Sequence, residues 1–113
     1  MDCIFCKIIN HEIASKIIYQ DEHVLAFNDN NPQAPQHKLI IPREHIASLD
    51  DLPSEKLYLA NHLFAAAQKI ARDLNIAEEG YRLVMNCNLA GGQTVEHVHL
   101  HLLGGRHMTW PPG

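Results

Sequence analysis

The most regular pattern in this chain is the alternation of histidine and aliphatic residues over His97–Leu103. Successive side chains of a β-strand point to opposite faces, so the pattern predicts a half-buried strand. The histidines at positions 97, 99 and 101 would share one face, and Val98, Leu100 and Leu102 would pack on the other. Glu96, next to the first histidine, is expected to point away from the histidine face.

Other apolar segments predict the remaining elements. Cys3–Ile9 predicts one or two helical turns, and the Asn-, Asp- and Pro-rich segment Asn28–Gln36 predicts a loop. Four more segments have the composition of strands: Ile17–Tyr19, Val24–Phe27, Lys38–Ile41 and Tyr81–Cys87. The first two flank a short polar segment and predict a hairpin.

A long helix is predicted from about Ser54 to Asn75, with a start signal at Asp51 and Pro53. Its apolar residues recur at helical spacing: Leu57, Ala60, Leu63, Phe64, Ala67, Ile70, Ala71 and Leu74. Hairpin-connected strands around one long helix indicate an α+β fold with an antiparallel sheet of about five strands and a short N-terminal helix. Residues 1–113 contain neither a repeat nor a linker, which indicates a single domain.

Composition narrows the class of protein. The chain has 113 residues, of which 46% are hydrophobic and 19% charged, with a formal net charge of -4. There is no run of Lys or Arg, which argues against nucleic acid or an anionic membrane as a partner. No apolar segment approaches the ~18 residues of a membrane span, and the N-terminus does not resemble a signal peptide. Together with three cysteines, an odd number, these features predict a cytoplasmic protein with reduced thiols.

The three alternate histidines indicate a reaction centre rather than one shared metal ion. On a straight strand His97 and His101 lie about 13 Å apart, at ~3.3 Å per residue, too far for one tetrahedral zinc. A neutral imidazole is a good nucleophile toward phosphorus. The preceding segment Gly91–Thr94 offers backbone N–H groups and a hydroxyl for phosphate oxygens. The alternative is a row of histidines on a solvated face.

The histidine pattern resembles the signature of the histidine triad (HIT) family. Gly104–Arg106 and the terminal Trp110–Gly113 resemble the Hint branch of that family. Further similar segments are Phe27–Asp29, Pro32–Pro35 with His37, and Ile41–His45, so the resemblance covers essentially the whole chain.

The resemblance implies a homodimeric hydrolase that cleaves the P–N bond of AMP-amine conjugates and other purine nucleoside phosphoramidates. His99 would be the nucleophile, and His101 would contact the α-phosphate. His37 would join the histidine relay, and Thr94 would contact the phosphate or the leaving group. No organic cofactor is implied.

The resemblance also implies a substrate-binding set. Ile4, Phe5, Ile8 and Phe27 would form the wall of the base pocket, in which Asn28 and Asn30 would also lie. Asp29 would bind the ribose hydroxyls, Asn86, Gly92 and Gln93 would border the phosphate, and Trp110 would reach the partner subunit's site. From the residues alone, Ile4, Ile8 and Phe27 equally suit a plain core. Asp29 equally suits a turn, and Trp110 a cover for an apolar patch.

Cys3 and Cys6 form a C-x-x-C pair, which supplies two of the four ligands of a structural zinc site. Members of the family with this N-terminal pair resemble zinc-binding proteins, and the resemblance implies that His45 and His97 complete the Zn²⁺ site. The alternatives are a redox pair, which a preceding strand would favour, and buried thiols without a ligand.

Other functions are open at this point. Within the same family the chain could cleave dinucleoside polyphosphates, as the Fhit branch does, or transfer nucleotides, as the uridylyltransferase branch does. It could also be a non-catalytic nucleotide-binding interaction module. Gly104–Arg106 and Trp110–Gly113 favour the Hint branch. The full set of His37, the three triad histidines and Thr94 favours an enzyme.

Overall fold

The fold is built on an antiparallel sheet. A computed structural model describes residues 2–113, and within them the strands are β1 (Ile17–Gln20), β2 (Val24–Asn28), β3 (Gln36–Pro42), β4 (Tyr81–Val84) and β5 (Leu100–Gly104). The strand order of this five-stranded sheet across residues 2–113 is β1-β2-β3-β5-β4. All four pairings are antiparallel, and β3 lies at the centre between β2 and β5. The predicted α+β class and the predicted hairpin are confirmed.

Two α-helices accompany the sheet in the described part of the chain: α1 (Ile4–Ile9) and α2 (Tyr58–Asp73). The predicted long helix is confirmed, but its first residues, Ser54–Lys56, form a separate 3₁₀ turn. The helix ends where Asn75 adopts a left-handed backbone with φ of 59°. The N–H of Ile76 then donates to the carbonyl of Ala71 at 3.0 Å, a common arrangement at helix C-termini.

The sheet separates two apolar clusters. One contains the buried face of α2, including Leu63 and Ile70, together with Val98, Leu100 and Leu102. The other contains α1 residues and their partners on the opposite face of the sheet. The predicted aliphatic face of the histidine segment is therefore confirmed.

The buried stripe of α2 differs from the predicted one. Leu57 and Phe64 have helical spacing, but their exposed fractions are 51% and 53%. Leu59 and Ala66 are buried in their place. The stripe is therefore turned relative to the prediction, because the helix packs on β2, β3 and β5 through one narrow face.

Two predicted strands are too long. The segment Tyr81–Cys87 forms a strand only as far as Val84. The histidine strand begins at Leu100, because the chain bends at positions 95–97. In the bend the N–H of His97 donates to the carbonyl of Val95 at 2.9 Å, and the N–H of Val98 donates to Ile46 at 2.8 Å. These backbone groups are bonded to a turn and a loop and cannot take part in a sheet ladder.

Neither helix of residues 2–113 combines the length and apolar character that a membrane span requires.

Candidate functional site

The bend before β5 turns His97 into a buried cluster with Cys3, Cys6 and His45. The ligand atoms of these four residues all lie within 4.8 Å of one another. His97 Nδ1 is 3.4 Å from Cys3 Sγ, 3.7 Å from Cys6 Sγ and 3.2 Å from His45 Nδ1. Cys6 Sγ is 3.4 Å from His45 Nδ1. The structure thus brings together all four predicted metal ligands.

The distances within this cluster fit a tetrahedral metal site. Zinc bonds of ~2.3 Å to sulfur and ~2.0–2.1 Å to nitrogen put neighbouring sulfur and nitrogen about 3.6 Å apart, and two nitrogens about 3.3 Å apart. The measured N–S and N–N separations have these values. His97 Nε2 donates to the carbonyl of Pro42 at 2.9 Å, so its Nδ1 carries a free lone pair toward the cluster.

The Cys6 thiol favours the protonated form when no cation is bound. Burial, and then the adjacent Cys3, raise the pKa of the Cys6 thiol to about 11. A bound cation supplies the charge that stabilises two thiolates, so the cluster is suited to a metal rather than to a free thiolate nucleophile.

Next to the cluster lies an open cleft, here called the histidine cleft, with a volume of about 220 Å³. Nine predicted site residues form its lining: Ile4, Phe5, Phe27, Asn28, Asp29, Asn30, Thr94, His99 and His101. Phe5 is central to its wall, because its ring lies edge-on to Phe27 at 5.4 Å and to His99 at 5.2 Å between centroids.

Two lining residues were not predicted, Leu39 and Val95. Leu39 pairs with His101 across β3 and β5 and is two residues from His37, so strand periodicity could have indicated it. Val95 lies in the bend, and the predicted continuous strand gave no signal for it.

Other predicted site residues lie outside the cleft lining. Ile8 is in the apolar cluster beneath α1. The side chain of Gln93 donates to the carbonyls of Ala47 at 2.7 Å and Val95 at 2.9 Å, so it braces the loop. The side chain of Asn86 lies beside Gly92 in the same loop region.

Trp110 is 80% exposed in this chain. The guanidinium carbon of Arg82 lies 5.9 Å from the centroid of its ring. The structure therefore places Trp110 on the surface, away from the cleft of its own chain.

His37 lies behind the cleft and forms a hydrogen-bonded relay with His101. The backbone N–H of Gln33 donates to His37 Nδ1 at 3.0 Å, which assigns the proton of the neutral ring to Nε2. His37 Nε2 then donates to His101 Nδ1 at 2.9 Å. His101 in turn carries its proton on Nε2, where it is a hydrogen-bond donor for an anion.

His99 carries its proton on the other ring nitrogen than His101 does. Its Nδ1 lies 2.7 Å from the carbonyl oxygen of His97, which only accepts, so Nδ1 carries the proton and donates. In the neutral ring Nε2 is therefore the nitrogen with the free lone pair. The cleft combines one nucleophilic imidazole, His99, with one donor imidazole, His101, whose ring centroid is 5.1 Å away.

The relay is electrically neutral at pH 7. Burial, and then the neighbouring His99 and His37, lower the pKa of His101 to about 4. Burial also lowers the pKa of His37 below its ordinary value, although Asp29 acts in the opposite direction. Neutral rings have fixed donors and acceptors, so the direction of each hydrogen bond is defined.

Asp29 joins His37 and His101 in a second group whose ligand atoms lie within 4.8 Å of one another. Its Oδ2 is 3.5 Å from His37 Nε2, and its Oδ1 accepts from the N–H of Asn31 at 2.7 Å. Because His37 Nε2 is protonated in the relay, it offers no lone pair to a metal. This group is therefore better suited to proton positioning than to metal binding.

A second cavity of about 410 Å³ adjoins the histidine cleft and shares Ile4, Thr94 and Val95 with it. Glu96 also lines this cavity, together with His45. Residues 95–97 bend and do not alternate as a strand does, but Glu96 is exposed and does not line the histidine cleft, so its direction away from the histidine face stays a prediction.

A sequence model of the HIT domain matches residues 10–108 of this chain. The chain belongs to the HIT family. A purine nucleoside phosphoramidase of Escherichia coli strain K12 is 51% identical over 105 residues, covering 93% of this chain and 88% of that protein. An uncharacterized HIT-like protein of Synechococcus elongatus is 50% identical over 112 residues, covering 99% and 97%.

The fold is similar to that of a HIT family hydrolase from Legionella pneumophila, with a TM-score of 0.96 and 50% sequence identity. The similarity covers 99% of this chain and 100% of that one. The open five-stranded sheet with one long and one short helix, as found in residues 2–113, is therefore that of a HIT family member.

Proposed function

We propose that this HIT family member hydrolyses the P–N bond of purine nucleoside 5′-phosphoramidates, such as AMP-amine conjugates, and releases AMP and an amine. The observation that carries the proposal is the hydrogen bond of His99 Nδ1 to the carbonyl of His97. It leaves Nε2 as the nitrogen with the lone pair in a residue that lines the open histidine cleft. The 51%-identical Escherichia coli relative, a purine nucleoside phosphoramidase, supports the same reaction.

The first step is attack of His99 Nε2 on the α-phosphorus, which forms a P–N bond to the histidine. The bond from phosphorus to the substrate amine breaks, and its electron pair stays on the amine nitrogen, which takes a proton from the hydrogen-bonding groups of the cleft. His101 Nε2–H and the Thr94 hydroxyl are donors suited to the phosphate oxygens and the leaving group.

The second step is attack of water on the nucleotidyl-histidine, and the proton that the water loses returns to the cleft group that protonated the amine. The P–Nε2 bond breaks, AMP leaves, and the lone pair returns to His99 Nε2. The hydrogen bond from Nδ1 to the carbonyl of His97 keeps the same tautomer available for the next cycle. His99 is thus regenerated without a change of proton position on Nδ1.

The cleft offers a distinct surface to each part of a nucleotide. Ile4, Phe5 and Phe27 form an apolar wall suited to a base, and Asp29 offers a carboxylate to ribose hydroxyls. The neutral donors at His101 and Thr94 suit the phosphate. This order of surfaces favours a nucleoside phosphate over a simple phosphoramidate.

We propose that Cys3, Cys6, His45 and His97 bind a structural Zn²⁺. All four protein ligands of a tetrahedral site are present, which leaves no open position for substrate and favours a structural role. When bound, the ion would fix the N-terminus of α1 to the segment that carries His99.

We also propose that residues 1–113 form one HIT domain and that the protein is a homodimer. Trp110 is exposed beyond the cleft of its own chain and is available to a partner subunit's cleft. Within residues 2–113 the strand β4 has a neighbour on one side only, and its other edge is available for pairing with a second copy.

The first test compares wild-type protein with His99→Ala on an adenosine 5′-phosphoramidate. We expect kcat to fall at least about a thousandfold, the size found when a nucleophile of a hydrolytic triad is removed. His23→Ala is the matched control, because His23 stacks on His62 at 3.9 Å between centroids and does not line the cleft.

Two results would contradict the proposed reaction. Equal turnover by wild type and His99→Ala would exclude His99 as the nucleophile. Binding of AMP without turnover by wild type would make the protein a nucleotide-binding module. Mass spectrometry of quenched wild-type protein is expected to show a nucleotidyl adduct that His99→Ala lacks.

A further inference from the structure

The segment that follows β5 packs against the loop that precedes β3. Gln36 pairs with Gly104, so Gly105 and Arg106 continue directly beside residues 33–35. Gly105 has a φ of 88°, and a Cβ there would lie 2.9 Å from the Cβ of Pro35. Only glycine permits this backbone and this approach, so the two segments are in close contact.

Arg106 uses this contact to hold Gln33. Its Nε donates to the carbonyl of Gln33 at 3.0 Å, and its Nη1 donates to the carbonyl of His107 at 3.2 Å. The side chain is thus fixed at both ends of the guanidinium group. Arg106 itself is not one of the residues that line the histidine cleft.

Gln33 is the residue that sets the tautomer of His37. Its N–H donates to His37 Nδ1, and the Nε2–H of His37 then donates to His101. A continuous path therefore runs from Arg106 through Gln33 and His37 to the ring that faces the phosphate. The two residues at the ends of this path are close together in the sequence, because His101 lies in β5 and Arg106 comes just after that strand.

We propose that Arg106 is a positioning residue for the histidine relay: by fixing Gln33 it holds His37 in the Nε2–H tautomer, so that His101 presents an N–H to the α-phosphate. This inference rests on the proposed function for its kinetic consequences, but its statement about the His37 tautomer does not depend on that function.

The alternative tautomer of His37 would disturb the contact between His101 and the phosphate. If the proton of His37 moved to Nδ1, its Nε2 would become an acceptor and His101 Nδ1 would have to carry the proton. His101 Nε2 would then turn a lone pair toward the phosphate oxygens, which are also acceptors. Such a contact is repulsive and would raise the barrier to the first step.

The carboxylate of Asp29 also favours the Nε2–H tautomer, since its Oδ2 is 3.5 Å from His37 Nε2. We therefore expect only a partial loss of activity when the Arg106 side chain is removed. Arg106→Ala should lower kcat about tenfold, the usual size when an outer partner of a histidine site is lost. The KM for the nucleotide should change less than about twofold, because Arg106 does not line the cleft.

The experiment uses full-length Arg106→Ala, Arg106→Lys and the control Arg43→Ala. Arg43 makes the same kind of bond, from Nε to the backbone carbonyl of Asp21 at 2.7 Å, at the turn between β1 and β2. The tautomer of His37 is read from long-range ¹H–¹⁵N correlation spectra of the imidazoles, with His37→Gln to assign its signals. Steady-state kinetics supply kcat and KM.

We expect pure Nε2–H signals for His37 in wild type and Arg43→Ala, and mixed tautomers in Arg106→Ala. Arg106→Lys should recover the wild-type signal and most of kcat, because the ammonium group can still donate to Gln33. A His37 tautomer in Arg106→Ala identical to wild type would overturn the inference. So would an Arg106→Ala defect confined to thermal stability, with wild-type kcat below the melting temperature.

Failure of the proposed function would give a different result. If the protein did not cleave phosphoramidates, all variants would be inactive, yet the tautomer change in Arg106→Ala would still be measurable. If the function held and Arg106 had no positioning role, the kinetics and the spectra of Arg106→Ala would both match the control.

Discussion

The three triad histidines differ in which ring nitrogen carries the proton. His97 is protonated on Nε2 by its bond to Pro42, and His99 is protonated on Nδ1 by its bond to the carbonyl of His97. His101 receives a hydrogen bond on Nδ1 and is a donor on Nε2. Identical residues at equal spacing are therefore suited to three different roles, because each ring contacts a different backbone or side-chain partner.

Acid stability depends on the half-buried imidazole of His101. Its pKa is lowered from 6.5 to about 4 in the folded protein. Between these values the unfolded chain binds a proton at residue 101 that the folded chain excludes, so the free energy of unfolding falls as the pH falls from 6.5 toward 4. We expect His101→Gln to lose less stability than wild type between pH 7 and pH 5 in urea denaturation.

His11→Asn is the control for this measurement. His11 is exposed and has a left-handed backbone with φ of 61°, which Asn tolerates well. An equal loss of stability on acidification in wild type and His101→Gln would show that His101 does not exclude the proton.

At the scale of elements, α1 depends on tertiary contacts for its stability. A helix of 6 residues is far below the length at which isolated helices are stable. Phe5 and Ile8 bury its apolar side, and Cys3 and Cys6 place two sulfur atoms in the metal cluster. The helix is thus fixed by packing at one side and by the proposed zinc at its N-terminus.

Removal of metal should therefore loosen α1 before the rest of the fold. We expect chelation to increase amide hydrogen exchange in residues 3–10 at least about tenfold while exchange in α2 stays unchanged, since α2 buries its own apolar stripe. The variant Cys3→Ser/Cys6→Ser should show the fast exchange with or without chelator. Equal protection of α1 in both states of wild type would exclude zinc as its anchor.

The bend before β5 is a feature that sequence periodicity alone did not predict. Alternation correctly placed Val98, Leu100 and Leu102 on one face of the sheet. It did not indicate that the hydrogen bonds of His97 and Val98 go to Val95 and Ile46. A strand needs a paired neighbour as well as alternating side chains, and the neighbour is a property of the tertiary structure.

At the scale of the whole molecule, the homodimer proposed above is open to a direct test. We expect light scattering to give about twice the chain mass of 12.8 kDa. Trp110→Ala should raise the KM for the phosphoramidate severalfold, because the ring would lie in the partner subunit's cleft. Leu89→Ala is the matched control, since Leu89 is 92% exposed and lines none of the cavities described above.

A monomer mass at micromolar concentration would contradict the dimer. An unchanged KM in Trp110→Ala, with a dimer mass, would place Trp110 outside the site while leaving the dimer intact.

The sequence by itself determined the α+β class and the side of the sheet on which the histidines lie, and it supplied the residues proposed as metal ligands and as nucleophile. These follow from side-chain alternation, helical spacing and motifs, which are local properties of the chain. The tertiary structure decided the bend before β5, the burial of α2 and the direction of every hydrogen bond in the relay. The hydrogen bonds of His97 with Pro42, His37 with His101 and Arg106 with Gln33 join residues 55, 64 and 73 positions apart, and only the folded chain determines which partners meet.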